Sequence, residues 1–212
     1  VDKALFSPLI LKVAGASITP LVFFLPLALI VYLFTLWKQL KDEYPQRLVV
    51  NYSLQTLVAF TLIAFLTHSL GIGDYFFPTG FLGLIISSII FSSLNKWNYW
   101  YILEKTVLPI IFSAILIFLG FFLTFGRISY PIHILFFIIA YLLLNLWSGY
   151  RSFAWYHSGK AGFLFLAPLM VVLLLESGLD FYLANGLYWR SLFLVFASLG
   201  IGLIIFIRSR KK

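Results

Sequence analysis

The chain has no cysteine, a single methionine and only seven acidic residues among its 212. Without cysteine it can form no disulfide, present no thiolate and build no Cys-ligated metal centre. Charge of either sign is scarce, 10% of residues against 62% hydrophobic and 20% aromatic. A mean hydropathy of +1.03 excludes the one or two soluble domains that this length would otherwise allow. The sequence also lacks an HExxH, P-loop, GxSxG or dinucleotide-binding pattern, so the commoner zinc, nucleotide and serine-nucleophile chemistries have no anchor. His68, His133 and His157 are far apart in the sequence, and neither a metal site nor a cofactor is expected. The formal charge of +8 comes from 15 Lys and Arg confined to short loops and a tail. With no basic face of any size, the expected counterpart is an anionic lipid headgroup and not a nucleic acid. Residues Val1 to Ser17 lack a basic region followed by an apolar core and a small-residue cleavage site, so no removable signal peptide is expected.

What the chain has in abundance is long apolar runs. A helix crosses the roughly 30 Å of hydrocarbon with about 20 residues. Runs near that length lie at 18–37, 48–70, 102–125, 132–147, 163–179 and 191–207, with a shorter one at 81–94. The expected fold is therefore an all-α integral membrane protein, one polytopic domain over 1–212 with seven transmembrane helices. Residues 4–17, broken by Pro8, Lys12 and Gly15, read as an interfacial segment, and Pro26 as a kink in the first span. Because the run at 81–94 is short, part of 75–80 is expected to enter the membrane under cover of protein. Gly83 and Ser87, Ser88 and Ser92, and then Ala197, Gly200 and Gly202 read as small-residue seams that let helices approach. Asn51 and Gln55 share one face of the second span and read either as the lining of a path or as polar packing contacts.

Seven spans impose an alternation of sides that the charges test separately. Loops one, three and five with the C-terminal tail hold Lys38, Lys41, Arg47, Lys96, Lys105, Arg151, Lys160, Arg208, Arg210, Lys211 and Lys212; the other side holds Lys3, Lys12, Arg127 and Arg190. The positive-inside rule then puts the C-terminus in the cytoplasm and the N-terminus outside. With that topology the outer ends of the spans collect His68, Asp74, Arg127, His133, Glu176, Asp180 and Arg190. Ionisable groups in or beside spans are costly and ask for a reason. Two readings stand side by side. In one, His133 and Glu176 move a proton while Arg127 or Arg190 holds a phosphate. In the other, Glu176 or Asp180 pairs with Arg127 or Arg190, and His133 bonds a neighbouring carbonyl.

The order of these features resembles the prolipoprotein diacylglyceryl transferases of bacteria. Leu5-Phe6-Ser7 through Ile18-Thr19 is similar to that family's entry into its first span. Tyr130-Pro131-Ile132-His133-Ile134-Leu135 is similar to the opening "HPTQLYE" of its fifth, keeping the proline. Gly159 to Glu176, through Gly162-Phe163-Leu164-Phe165-Leu166, resembles its sixth span with Glu176 on the family's glutamate, and Gly186 to Ile205 resembles its closing segment. The departures fall on the family's signature positions. Phe77-Pro78-Thr79-Gly80 stands where the family has a His-Gly-Gly motif, and Phe118-Leu119-Gly120-Phe121-Phe122 where it has "GRIGNFxN". Val172 stands where it has an arginine, and about Leu21 where it has a tyrosine. The resemblance implies residence in the bacterial cytoplasmic membrane and binding of a phosphatidylglycerol-like phospholipid at the outer leaflet. It further implies transfer of a diacylglyceryl group to the cysteine of a lipoprotein precursor. Of the candidate catalytic residues His133 and Glu176, only Glu176 stands on a family position; in such a transferase His133 or Glu176 would move the proton and Arg127 or Arg190 would hold the headgroup phosphate. The alternative is a non-catalytic relative that keeps the scaffold and binds lipid or a partner; a small transporter or channel is the third reading.

Overall fold

The structure, a computed structural model, describes residues 5, 9, 11–13, 16–69, 76–156, 158–183 and 189–210. A short antiparallel hairpin, β1 (Leu11–Val13) and β2 (Ala16–Ile18), pairs Leu11 with Ile18. It overlaps the segment 4–17 expected to lie at the interface, runs one residue past it to Ile18, and is the one departure, among the described residues, from an all-helical chain. Among the described residues seven α-helices follow: α1 (Leu21–Leu40), α2 (Gln46–Ser69), α3 (Phe76–Leu94), α4 (Tyr99–Phe125), α5 (Ser129–Leu146), α6 (Phe163–Leu183) and α7 (Trp189–Ser209). Six of them are long and apolar enough to cross a membrane, and the apolar stretch of α3, Thr79–Leu94, is shorter.

The helices outrun the apolar runs that announce them. Lys38 lies in the last turn of α1, Asp180 is inside α6, and Arg190 is in the first turn of α7. Hydropathy marks only the hydrocarbon depth, whereas the backbone keeps its hydrogen bonds best by remaining helical through the headgroup layer. Residues 76–80, most of the segment 75–80 part of which is expected to enter the membrane, form the opening of α3. Pro78 falls in that first turn, where its missing N–H removes no helical bond.

Burial runs in the sense that lipid demands. Large side chains such as Phe23, Ile30, Phe65, Phe196 and Leu199 are exposed, while the buried polar set among the described residues consists entirely of Ser and Thr. With no hydrophobic force between helices in lipid, close contact and small hydroxyls do the joining. The chain is thus a helical integral membrane protein.

Contacts divide the chain into two compact units, Leu33–Pro109 and the remainder. In the first, α2 and α3 are joined by Tyr52 Oη and Ser88 Oγ at 2.9 Å and by the Thr67 and Thr79 hydroxyls at 2.9 Å. Glu43, before α2, accepts a hydrogen bond from Tyr101 and pairs with Lys105 at 3.7 Å, so loops one and three meet. Tyr44 packs on Trp97 with ring centroids 4.1 Å apart. Burial, and then the neighbouring Glu43 carboxylate, raise its phenol above the usual 10.0. The folded chain therefore holds this proton more tightly than the unfolded one. Stability is expected to be full below pH 10 and to fall as pH rises beyond it; alkaline unfolding curves should show that fall, and Tyr44→Phe should flatten it.

In the second unit, α1 meets α4 where Ser113 Oγ donates to the Ala28 carbonyl at 3.1 Å and the Leu21 N–H donates to Thr124 Oγ1 at 3.1 Å. Gly120 permits this approach, since an added Cβ would lie 2.7 Å from Phe24 Cβ. α6 and α7 are pinned by Ser177 Oγ to the Ser191 carbonyl (3.0 Å) and Ser198 Oγ to the Met170 carbonyl (3.2 Å). Of the seam expected on α7, a Cβ added at Gly202 would lie 3.4 Å from Met170 Sδ, whereas one added at Gly200 would point into open space. The loop 148–162 reaches the end of α7, where Ser158 donates to the Arg208 carbonyl and Arg208 to the Ala161 carbonyl.

Candidate functional site

The ends of α5, α6 and α7 that carry the titratable residues lie together in the larger unit. α4 stops at Phe125 because Gly126 adopts φ +65, a left-handed turn that glycine takes without steric cost. α5 begins at Ser129, so only three residues connect the two helices. Arg127 sits in that connection, exposed, with no ion pair among the described residues.

His133 lies one turn into α5. Its Nδ1 is 2.6 Å from the Ser129 carbonyl oxygen, and a carbonyl can only accept, so Nδ1 carries a proton and donates it. Its Nε2 then faces Glu176 Oε2 at 3.1 Å, with both side chains 15% exposed. A contact that short between a nitrogen and an oxygen needs one proton between them, so the two groups form a couple sharing it: imidazolium with carboxylate, or imidazole with carboxylic acid. The ring is held flat on Phe118, with centroids 4.7 Å apart and planes within 12°. Phe118 in turn stacks on Phe137 at 5.8 Å. The imidazole is thus fixed from three sides: carbonyl, carboxylate and aromatic face.

One turn beyond Glu176 on the same face of α6, Asp180 Oδ2 lies 3.0 Å from Arg190 Nε. These two atoms make no hydrogen bond among the described residues, so between Oδ2 and Nε the contact is one of charge. Of the two headgroup candidates, then, Arg190 is engaged by an acid while Arg127 is open to solvent. The structure joins His133 to Glu176 and Asp180 to Arg190, and it joins His133 to a neighbouring carbonyl as well. Phe118 was beyond reach of the sequence, since one phenylalanine among 24 carries no mark of lying under a histidine. Ser129, four residues before His133 in a helix, could have been found from spacing alone.

Asp74, His157, Lys211, Lys212 and the segment 184–188 lie outside the described residues, as does the side chain of His68. Among the described residues no three His, Asp or Glu side chains converge as a metal site needs. The apolar groove of this unit, about 560 Å3 and lined by Trp147, Phe153, Trp155, Phe163, Met170 and Gly202, lies toward the opposite ends of α6 and α7 from the His133–Glu176 couple.

This geometry defines a membrane-embedded acid–base couple beside an ion pair. No protein-family model, curated protein or solved structure matches the chain.

Proposed function

We propose that the protein is a seven-span protein of the bacterial cytoplasmic membrane, with its N-terminus outside and its C-terminus in the cytoplasm. It binds a phosphatidylglycerol-like phospholipid at the outer leaflet and transfers the diacylglyceryl group to a lipoprotein-precursor cysteine. Seven crossings are supported by the ties of Glu43 to the start of α4 and of loop 148–162 to the end of α7. Each tie brings the two outer ends of a helical hairpin to one side. At 19 residues α3 reaches about 28 Å, near the hydrocarbon thickness.

The observation that carries the chemistry is the His133–Glu176 contact at 3.1 Å. A shared proton inside a span is a costly arrangement that proton transfer gives a purpose. In the transfer, the acceptor thiol gives its proton to the couple while its sulfur bonds to the glyceryl carbon. The carbon–oxygen bond to phosphate breaks, and the glycerol phosphate leaves with its charge against Arg127. A second reading, the non-catalytic lipid- or partner-binding relative, is favoured by one specific observation: Asp180 already occupies Arg190.

Purified protein in phosphatidylglycerol vesicles is expected to move a labelled diacylglyceryl group onto a lipobox peptide. His133→Ala or Glu176→Gln should slow it by about a hundredfold or more. Retained phospholipid without transfer would leave the scaffold reading alone, and a protein that neither retains lipid nor transfers it would discard the transferase and lipid-binding readings together.

A further inference from the structure

Along the α2–α3 pair runs an open groove of about 480 Å3, lined by Leu54, Gln55, Val58, Leu62, Gly83 and Ser87 among others. It exists because Gly83 draws the helices together: a Cβ added there would lie 2.7 Å from the Ala59 carbonyl oxygen. The larger side chains on either helix then stand as walls. The lining is apolar apart from two groups, a buried hydroxyl and an exposed amide, and the amide is anomalous for a surface meeting hydrocarbon. Ser87 is 5% exposed, and its Oγ has no hydrogen bond among the described residues. Gln55 is exposed, and its amide has none among them either, although it lies about 14 Å along α2 from Gln46 at 1.5 Å per residue.

A lipid acyl chain can fill such a groove but can satisfy neither polar group, and an unsatisfied amide in hydrocarbon is costly. A protein helix can fill the groove and also pair with the exposed Gln55 amide. Two copies of one chain inserted in the same sense are related by an axis along the membrane normal, so every residue meets its mate at equal depth. An amide carries both donor and acceptor, so Gln55 is complementary to itself at that depth. The facing ridge is also present on the same helix: Leu54, Val58 and Leu62, four residues apart, are 46%, 59% and 55% exposed. Rows of that spacing are the ones that seat in grooves between helical side chains.

We infer that two copies of this chain dimerise through α2 and α3, with Gln55 hydrogen-bonding to Gln55 of the second copy and each α2 ridge seated in the other's groove. The surface is independent of the His133–Glu176 couple, so dimerisation stands or falls apart from the phospholipid reading. Wild-type protein at low density in phosphatidylethanolamine–phosphatidylglycerol bilayers is expected to bleach in two steps per particle. Gln55→Leu, which keeps the apolar volume at an exposed position, should raise the dissociation constant about three- to tenfold. The absence of cysteine gives a second measurement that leaves Gln55 in place. Oxidation should cross-link Val58→Cys into a dimer and leave Leu203→Cys, on the exposed side of α7, uncross-linked. Monomers in the wild type at every density, equal cross-linking at the two positions, or an unchanged dissociation constant for Gln55→Leu would each overturn the interface.

Discussion

Asp180→Leu is expected to lower the unfolding free energy in mixed micelles by about 2–4 kcal/mol, whereas the double variant Asp180→Leu/Arg190→Leu should recover most of that loss. The asymmetry comes from what each partner can do when left alone. Asp180 is 14% exposed and its carboxylate lies 3.0 Å from a guanidinium that is 20% exposed. A carboxylate stranded in a poorly solvated place can take up a proton, and its cost is then capped. A guanidinium cannot shed its charge, so removing the acid leaves a cation at the edge of the hydrocarbon with its nearest counter-charge gone. The residual exposure of Arg190 keeps the loss below that of a fully buried pair, because the long side chain reaches toward the headgroup layer. Arg190→Leu alone should therefore cost less than Asp180→Leu alone. Equal losses for the two single variants, or no recovery in the double, would mean that the contact is incidental to stability.

The helices were legible because the membrane imposes a length and a composition, and both are written in consecutive residues. All seven helices lie over the apolar runs that predict them, and their extra turns hold the residues that hydropathy assigns to loops: Lys38, Asp180, Tyr182 and Arg190. The pairing of His133 with Glu176 was only half legible. Spacing along α6 puts Glu176 and Asp180 on one face, but which acid meets which base depends on the rotation of α5 against α6. That rotation is set by contacts with no sequence signature, such as Phe118 under the imidazole and the Ser177–Ser191 bond. Small residues were legible as a class and not one by one. Gly83 and Gly200 look alike in sequence, yet a Cβ added at one would strike a backbone oxygen and at the other would meet open space. Asn51 and Gln55 were legible as sharing a face; that the face is exposed required the structure.

The contrast between those two glycines makes the second large expectation. Gly83→Val should destabilise the protein by about 2–4 kcal/mol. A Cβ at this position would stand 2.7 Å from the Ala59 carbonyl oxygen and 2.9 Å from Ile63 Cδ1. The isoleucine can rotate away, but the carbonyl is fixed in the hydrogen-bonded backbone of α2, so the helices themselves must separate. Overpacking of this kind costs about 1–3 kcal/mol. The separation also strains the two side-chain bonds on either side of the contact, Tyr52 to Ser88 and Thr67 to Thr79, each contributing about 0.6 kcal/mol in a bilayer. Gly200→Ala meets no atom within 4 Å and removes only glycine's extra freedom in the unfolded chain, so it should be neutral or stabilising by up to about 1 kcal/mol. Unfolding both variants in the same micelles separates close helix approach from a general intolerance of larger residues: a Gly83→Val protein as stable as the Gly200→Ala one would show that α2 and α3 do not meet at Gly83.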